Sequence, residues 1–258
     1  MNSSPENSII GCLLGTASGD AIGLPCEMLS KQRQHRIFGE IDRHHFCFGK
    51  GMVSDDTEHA CMTAQALIVA GDAIPSFNRH LARQLKIWLL ALPAGVGYAT
   101  LRAVLKLLFG FSPERSGVFS AGNGPAMRSP IIGVCWGHDT DKLRALVKAS
   151  TRLTHTDPKA EFGALAVALA AYTGSTQENI SPAEFCRDAR ELLGPEADEL
   201  LELINRAAAS VGQTTADFAM EMNLAHGVSG YMYHNVSHGS LCAARLVPAS
   251  ARFSIRYR

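Results

Sequence analysis

Val53-Ser54-Asp55-Asp56-Thr57-Glu58-His59 sets two adjacent carboxylates between two hydroxyls, just after the Gly49-Lys50-Gly51 loop. Clustered hard oxygens of this kind are what Mg²⁺, Mn²⁺ or Ca²⁺ require. Behind them Ala60 to Ala70 is apolar and stops at Gly71, which predicts a buried helix with Gly71 just past its end. Asp55 and Asp56 then fall at that helix's N-terminus, where the macrodipole favours negative charge. Capping is the commonest role of Ser and Asp at such positions, and spacing alone favours it. Capping accounts for one carboxylate; two carboxylates and two hydroxyls in four residues leave a metal reading open.

A second candidate is Gly122-Asn123-Gly124, ahead of an apolar helix expected from Met127 to Val134. Such a turn can take positive φ and expose amides suited to a phosphate, although alone it is more often just a turn. Thr154-His155-Thr156-Asp157-Pro158 reads as a helix start, with Asp157 as cap and Pro158 at the first helical position. His155 at that junction is by itself more often structural than catalytic. Asp20 stands in an apolar segment and needs a partner or a place in a cleft.

The elements that must position these groups read as helices. Ser4-Pro5-Glu6 caps a helix running toward Ala21, with Gly15, Gly19 and Gly23 on one face, as close helix packing would want. Residues 25 to 51, basic and weakly periodic, read as a long loop with Glu27 near its start. Further helices are expected from Pro75, with Leu81, Leu85, Trp88 and Leu89 on one face, and over Tyr98 to Phe109. Others are expected over Lys142 to Arg152 behind Asp139, over Lys159 to Tyr172, and over Glu196 to Ala209. Ser181-Pro182-Ala183-Glu184 reads as a capping box. No strand period persists and no βαβ rhythm occurs, so the fold class expected is all-α, one compact multi-helix domain.

The 258 residues carry 24 basic and 24 acidic side chains, and this zero net charge gives no support for a nucleic-acid partner. Seven scattered cysteines without a C-x-x-C pair read as core residues in a reducing, cytoplasmic setting. The first apolar stretch lacks a basic leader and is broken by Gly11, Gly15, Ser18 and Asp20, so it reads as neither signal peptide nor membrane span.

In order, Gly15-x-x-x-Gly19-Asp20-Ala21-x-Gly23-x-Pro25-x-Glu27, Ser54-Asp55-Asp56-Thr57, Gly122-Asn123-Gly124 with Met127-Arg128, Thr154-His155, and Gly227 to His234 together resemble the ADP-ribosylglycohydrolase family, the relatives of dinitrogenase reductase-activating glycohydrolase. The resemblance covers residues 8 to 240. It implies an all-α fold, a pair of Mg²⁺ or Mn²⁺ ions, and hydrolysis of the bond joining ADP-ribose to a protein side chain or a small acceptor. By position, Ser54, Asp55 and Asp56 would be metal ligands, and Asp55, Asp56 and Glu27 the catalytic groups. Gly122, Asn123, Gly124 and His155 would bind the diphosphate and ribose. The family pattern continues to a second acidic motif, Gly-x-Asp-Thr-Asp-Thr, that these residues do not contain. Asp139-Thr140-Asp141 reads instead as a helix cap. Residues 1–244 therefore read as the family domain without its C-terminal metal motif, and 245–258, with Arg245, Arg252, Arg256, Arg258 and no acid, as an atypical basic tail of the kind a frameshift or truncation leaves. Without the second motif, metal should bind weakly. The alternative expectation is a relative that holds ADP-ribose or a nucleotide but is impaired in turnover.

Overall fold

The structure is a computed structural model that describes residues 4–27, 29–39, 41, 43–71, 73–93, 95–210, 212–224 and 230–237. The tail at 245–258 and Gly227 to Ser229 of the last motif lie outside the described residues. Helix α1 (Pro5–Gly23) starts where Ser4 Oγ accepts Asn7 N–H. Then come α2 (Lys31–Phe38), α3 (Asp55–Ala70), α4 (Ile74–Leu90), α5 (Tyr98–Leu108) and the single turn α6 (Pro113–Ser116). They are followed by α7 (Ser129–Trp136), α8 (Thr140–Arg152), α9 (Pro158–Thr176), α10 (Pro182–Leu193), α11 (Asp198–Ala209) and α12 (Thr215–Glu221). The described β-pairing is two isolated bridges, Val118 with His155 and Gly122 with Tyr231. The all-α expectation holds.

Helix α9 organises the packing. Ala160, Ala164, Ala168 and Leu165 are buried on several of its sides, so it has little amphipathic character, as a helix enclosed by others should. Its small side chains admit close neighbours. A Cβ on Gly133 of α7 would collide with the Ala168 backbone, and one on Gly163 with the Met232 side chain. Helices α7 and α8 lie against α9, while α3 packs on α4, and α1 crosses α3 and α7. Helix α4 is one-sided: Phe77, Leu81 and Leu85 are fully buried, each worth about 1.5–3 kcal/mol of transfer free energy. Trp88 joins α4 to α3, donating Nε1–H to Glu58 Oε2 at 2.6 Å.

Several expectations change. The stretch from 25 to 51 is not all loop: α2 forms there, with Ser30 accepting Arg33 N–H and Gly39 ending it at φ +68°. Its weak apolar period hid it, since two caps rather than a buried face define it. The apolar helix expected from Met127 begins at Ser129, after a 3-10 turn over Ala126–Arg128. Ser181 makes no side-chain capping bond; the reciprocal capping box is Thr214 with Asp217, at the head of α12. The glycine face of α1 does not serve close packing among the described residues, since a Cβ at Gly11, Gly15, Gly19 or Gly23 would meet nothing within 4 Å. Pro5–Cys26 is long and apolar enough to cross a membrane by length and composition. In this fold its Ile9, Cys12 and Leu13 pack against the core.

Candidate active-site cleft

The last turn of α1 delivers Asp20 to the head of α3. Asp20 Oδ2 accepts Ser54 N–H at 2.7 Å, Thr57 N–H at 3.2 Å and the Thr57 hydroxyl at 2.5 Å, while Oδ1 accepts the Ser54 hydroxyl at 2.7 Å. Ser54 Oγ in turn accepts Asp56 N–H at 3.4 Å. The orphan amides of the first turn are therefore satisfied by Ser54 from within and by Asp20 from another helix. Capping does not explain Asp55 and Asp56, because that work is done by other residues.

The two carboxylates carry a charge problem. The described ion pairs, Arg152–Glu161, Lys159–Glu199, Arg187–Asp188 and Arg206–Glu221, all lie elsewhere. Burial, then the charge of Asp56, with smaller pushes from Glu27 and Asp20, raises the Asp55 carboxyl to about 7 against the pull of its own backbone N–H. Burial, Asp20 and Glu27 raise Asp56 to about 6. Glu27, which ends a 3-10 turn over Leu24–Cys26, is raised by burial and by Asp20. Two displaced carboxylates in one cleft mark a place where a cation or a proton is wanted.

That cleft holds about 610 Å³, the size of a small-ligand site, and it gathers Glu27, Asp55, Asp56, Gly122, Asn123, Gly124 and His155. Of the sequence candidates, Ser54 alone is not in its lining; it sits behind, bonded to Asp20. The cleft also takes in Tyr98, Thr100 and Arg102 of α5, and Phe119. These escaped sequence reasoning because α5 read simply as an apolar helix; Tyr98 and Arg102, four apart and in cation–π contact at 5.5 Å, were the available signal.

The Gly-Asn-Gly turn works differently from expectation. Neither glycine has positive φ. They are needed for room: a Cβ on Gly122 would lie 3.0 Å from His155 Nε2, and one on Gly124 3.0 Å from His155 Cε1. Nor are the first amides free, since Gly122 N–H goes to Ser120 Oγ and Asn123 N–H to Gly230 O. The turn is thus a tight collar around His155.

Under the collar lies a residue the sequence did not single out for a role. Arg128 is fully buried. Its Nε donates to Ser150 Oγ at 2.9 Å and its Nη2 to Ser150 O at 2.9 Å and Thr154 Oγ1 at 2.5 Å. Its Nη1 reaches His59 Nδ1 at 3.4 Å. Burial lowers Arg128 to about 10. Burial and the Arg128 charge push His155 down to about 3 and hold buried His59 well below the usual range, with His155 adding to the effect on His59.

Fold and cleft together define an all-α protein with an acidic cleft at the head of one helix. The chain belongs to the ADP-ribosylglycohydrolase family, whose model matches residues 1–254. It is 31% identical over 170 residues to an uncharacterized protein of Archaeoglobus fulgidus, covering 64% of this chain and 55% of that one. It is 28% identical over 169 residues to the ADP-ribosyl-[dinitrogen reductase] glycohydrolase of Rhodospirillum rubrum, covering 63% and 56%. A match to Escherichia coli YegU is 31% identical over 180 residues, covering 63% and 52%. These matches span about half the length of each relative. A solved structure described as an ADP-ribosylglycohydrolase-related protein complex superposes with a TM-score of 0.63 over 93% of this chain and 88% of that one; at 21% identity this is a likeness of fold.

Proposed function

We propose that this chain hydrolyses ADP-ribosyl adducts of protein side chains or small molecules, in the cleft at the head of α3. The observation that carries the reading is the pair Asp55 and Asp56, released from capping by Ser54 and Asp20 and, among the described residues, without an ion-pair partner beside the His155 collar. In the cation-free cleft a carboxyl raised to about 7 is matched to proton transfer near neutral pH. Asp55 is thus suited to take the proton of an attacking water, with Asp56 and Glu27 orienting that water. The attacked anomeric carbon gains positive character as the bond to the acceptor lengthens, the three carboxylates favour that charge, and the departing acceptor takes up the proton that water gave to Asp55. Asn123 and His155 hold the diphosphate and ribose.

The donor chemistry fits a hard divalent cation, Mg²⁺ or Mn²⁺, which Asp55 and Asp56 would hold with a lone pair of the Ser54 hydroxyl. Such an ion supplies charge for the diphosphate and lowers the pKa of bound water. A cytoplasmic setting belongs to the same proposal. The second reading, a cleft that binds ADP-ribose without turnover, is favoured by one observation. Among the described residues no three His, Cys, Asp or Glu side chains are grouped to hold one metal ion.

Release of ADP-ribose from an ADP-ribosylated peptide, with and without Mg²⁺, separates the two. The hydrolase reading expects turnover that Asp55→Ala reduces by about 100-fold or more, the usual worth of a general base. Tight ADP-ribose binding with no turnover in either protein would establish the second reading instead.

A further inference from the structure

Arg128 and Thr154 form a relay that ends on His155, and the donor count along it is decisive. A guanidinium only donates, so Thr154 Oγ1 accepts from Arg128 Nη2. The hydroxyl's own proton then has two places to go, Thr151 O at 3.5 Å or His155 Nδ1 at 2.8 Å. Thr151 O is already crowded by three backbone donors, Leu153 N–H, Thr154 N–H at 3.0 Å and His155 N–H at 2.8 Å, and it lies 0.7 Å farther from the hydroxyl than His155 Nδ1 does. The hydroxyl proton therefore goes to His155 Nδ1, and the ring proton of the neutral imidazole is left on Nε2. His59 follows the same logic: its Nδ1 faces a donor on Arg128 and must accept.

We propose that Arg128, acting through the Thr154 hydroxyl, fixes His155 as its Nε2–H tautomer, so that His155 meets ligand as a hydrogen-bond donor to oxygen and not as a general base. Arg128 and Thr154 are positioning residues, and the collar at Gly122 and Gly124 aims the donor they prepare. The ligand this donor suits is a phosphate or hydroxyl oxygen, an assignment that rests on the proposed ADP-ribose site. Burial and then the charge on Arg128 keep the imidazole neutral, while the hydroxyl between them sets which nitrogen carries the proton.

The decisive measurement is the long-range ¹H–¹⁵N spectrum of the histidine side chains in the ligand-free protein at pH 7. It shows directly which ring nitrogen is protonated, whether or not any ligand binds. Wild type should show a bare Nδ1 and a protonated Nε2 at His155. Thr154→Val removes the relay but leaves Arg128 Nη2 its bond to Ser150 O, so the fold should hold. That variant should mix the tautomers of His155 and leave His59 unchanged, and Thr154→Ser should restore the wild-type spectrum. ADP-ribose should bind Thr154→Val about tenfold more weakly, the worth of one hydrogen bond to a charged group. A proton on Nδ1 in wild type, or an unchanged His155 spectrum in Thr154→Val, overturns the proposal. Failure of ADP-ribose to bind wild type while the Nε2–H form is seen overturns the ligand assignment and leaves the relay standing.

Discussion

Among the described residues, Arg128 and the Asp55–Asp56 pair both hold charge away from open solvent without a described ion pair, and they handle it in opposite ways. Arg128 sits at zero exposure, yet four of its five N–H donors reach neutral acceptors on Ser150, Thr154 and His59. Asp55 and Asp56 are only half-buried, yet they face Glu27 and Asp20 rather than a cation. The guanidinium is settled by hydrogen bonds and is part of the frame. The carboxylates are held at the head of a helix capped by other residues, and among the described residues their charge meets no cation. Depth of burial is thus a poor guide to which charge does chemistry. What separates the two is whether the surroundings already satisfy the group.

That contrast breaks most visibly in opposite signs of stability change. Arg128→Met should destabilise the ligand-free protein by about 3–5 kcal/mol in urea unfolding, because the acceptors it leaves are buried and unpaired. A loss below about 1 kcal/mol, the range of surface pairs, would show that the guanidinium is not structural. Asp55→Asn should instead stabilise the ligand-free protein at pH 8, by about 1 kcal/mol once solvent screening is allowed for. A loss of stability in Asp55→Asn would mean the carboxylate is needed by the fold.

The pH dependence sharpens the same point. In the unfolded chain Asp55 ionises near pH 4, whereas in the folded chain it does so near 7, and Asp56 near 6. Between those values the folded state binds more protons at these two groups, so their contribution to stability is fully present below about pH 4 and is lost as pH rises to about 7. His59 and His155, kept neutral in the folded state, contribute with the opposite sign in wild type and variant alike. Thermal unfolding should therefore show the Asp55→Asn, Asp56→Asn double variant gaining melting temperature relative to the ligand-free wild type as pH rises from 5 to 7.5. Added Mg²⁺ should raise the melting temperature at pH 7.5, less at pH 5.5, and not in the double variant. An equal Mg²⁺ response in the double variant would move the cation elsewhere. The smallest effect belongs to the collar. Gly122→Ala should cost about 1 kcal/mol of stability, the low end of overpacking, and weaken ADP-ribose binding by displacing His155. Unchanged binding would separate His155 from the ligand.

The helices were legible where a cap and an apolar face coincide. Asp139, Asp157, Gly71 and the Leu81–Leu85–Trp88 stripe all mark real boundaries or real cores. Helix α2 was missed because it has caps and no face. The Ser181 box was over-read, because a box is a possibility that geometry must realise, and Thr214 with Asp217 realises one instead. Among the candidate site residues, the sequence suggested Asp55, Asp56, Glu27, Gly122, Asn123, Gly124 and His155, and one cleft gathers all seven. It gave a wrong reason for the glycines, since room around a ring from residue 155 has no local signature. It also left Asp20 unassigned, because its partners are 34 and 37 residues away.

The sequence alone determined the class of the protein: helix after helix by cap and period, and a paired carboxylate too dense for a single capping role. Those are local properties, written in neighbouring residues. Only the tertiary structure decided how the pair is held and what it faces. Asp20 arrives from α1 to do the capping, α5 supplies Tyr98 and Arg102 to the cleft, and Arg128 prepares His155 through Thr154. Each of these is a hydrogen bond or an approach between segments far apart in the chain. No spacing rule reaches that far, because such contacts exist only once α9 and its neighbours have packed.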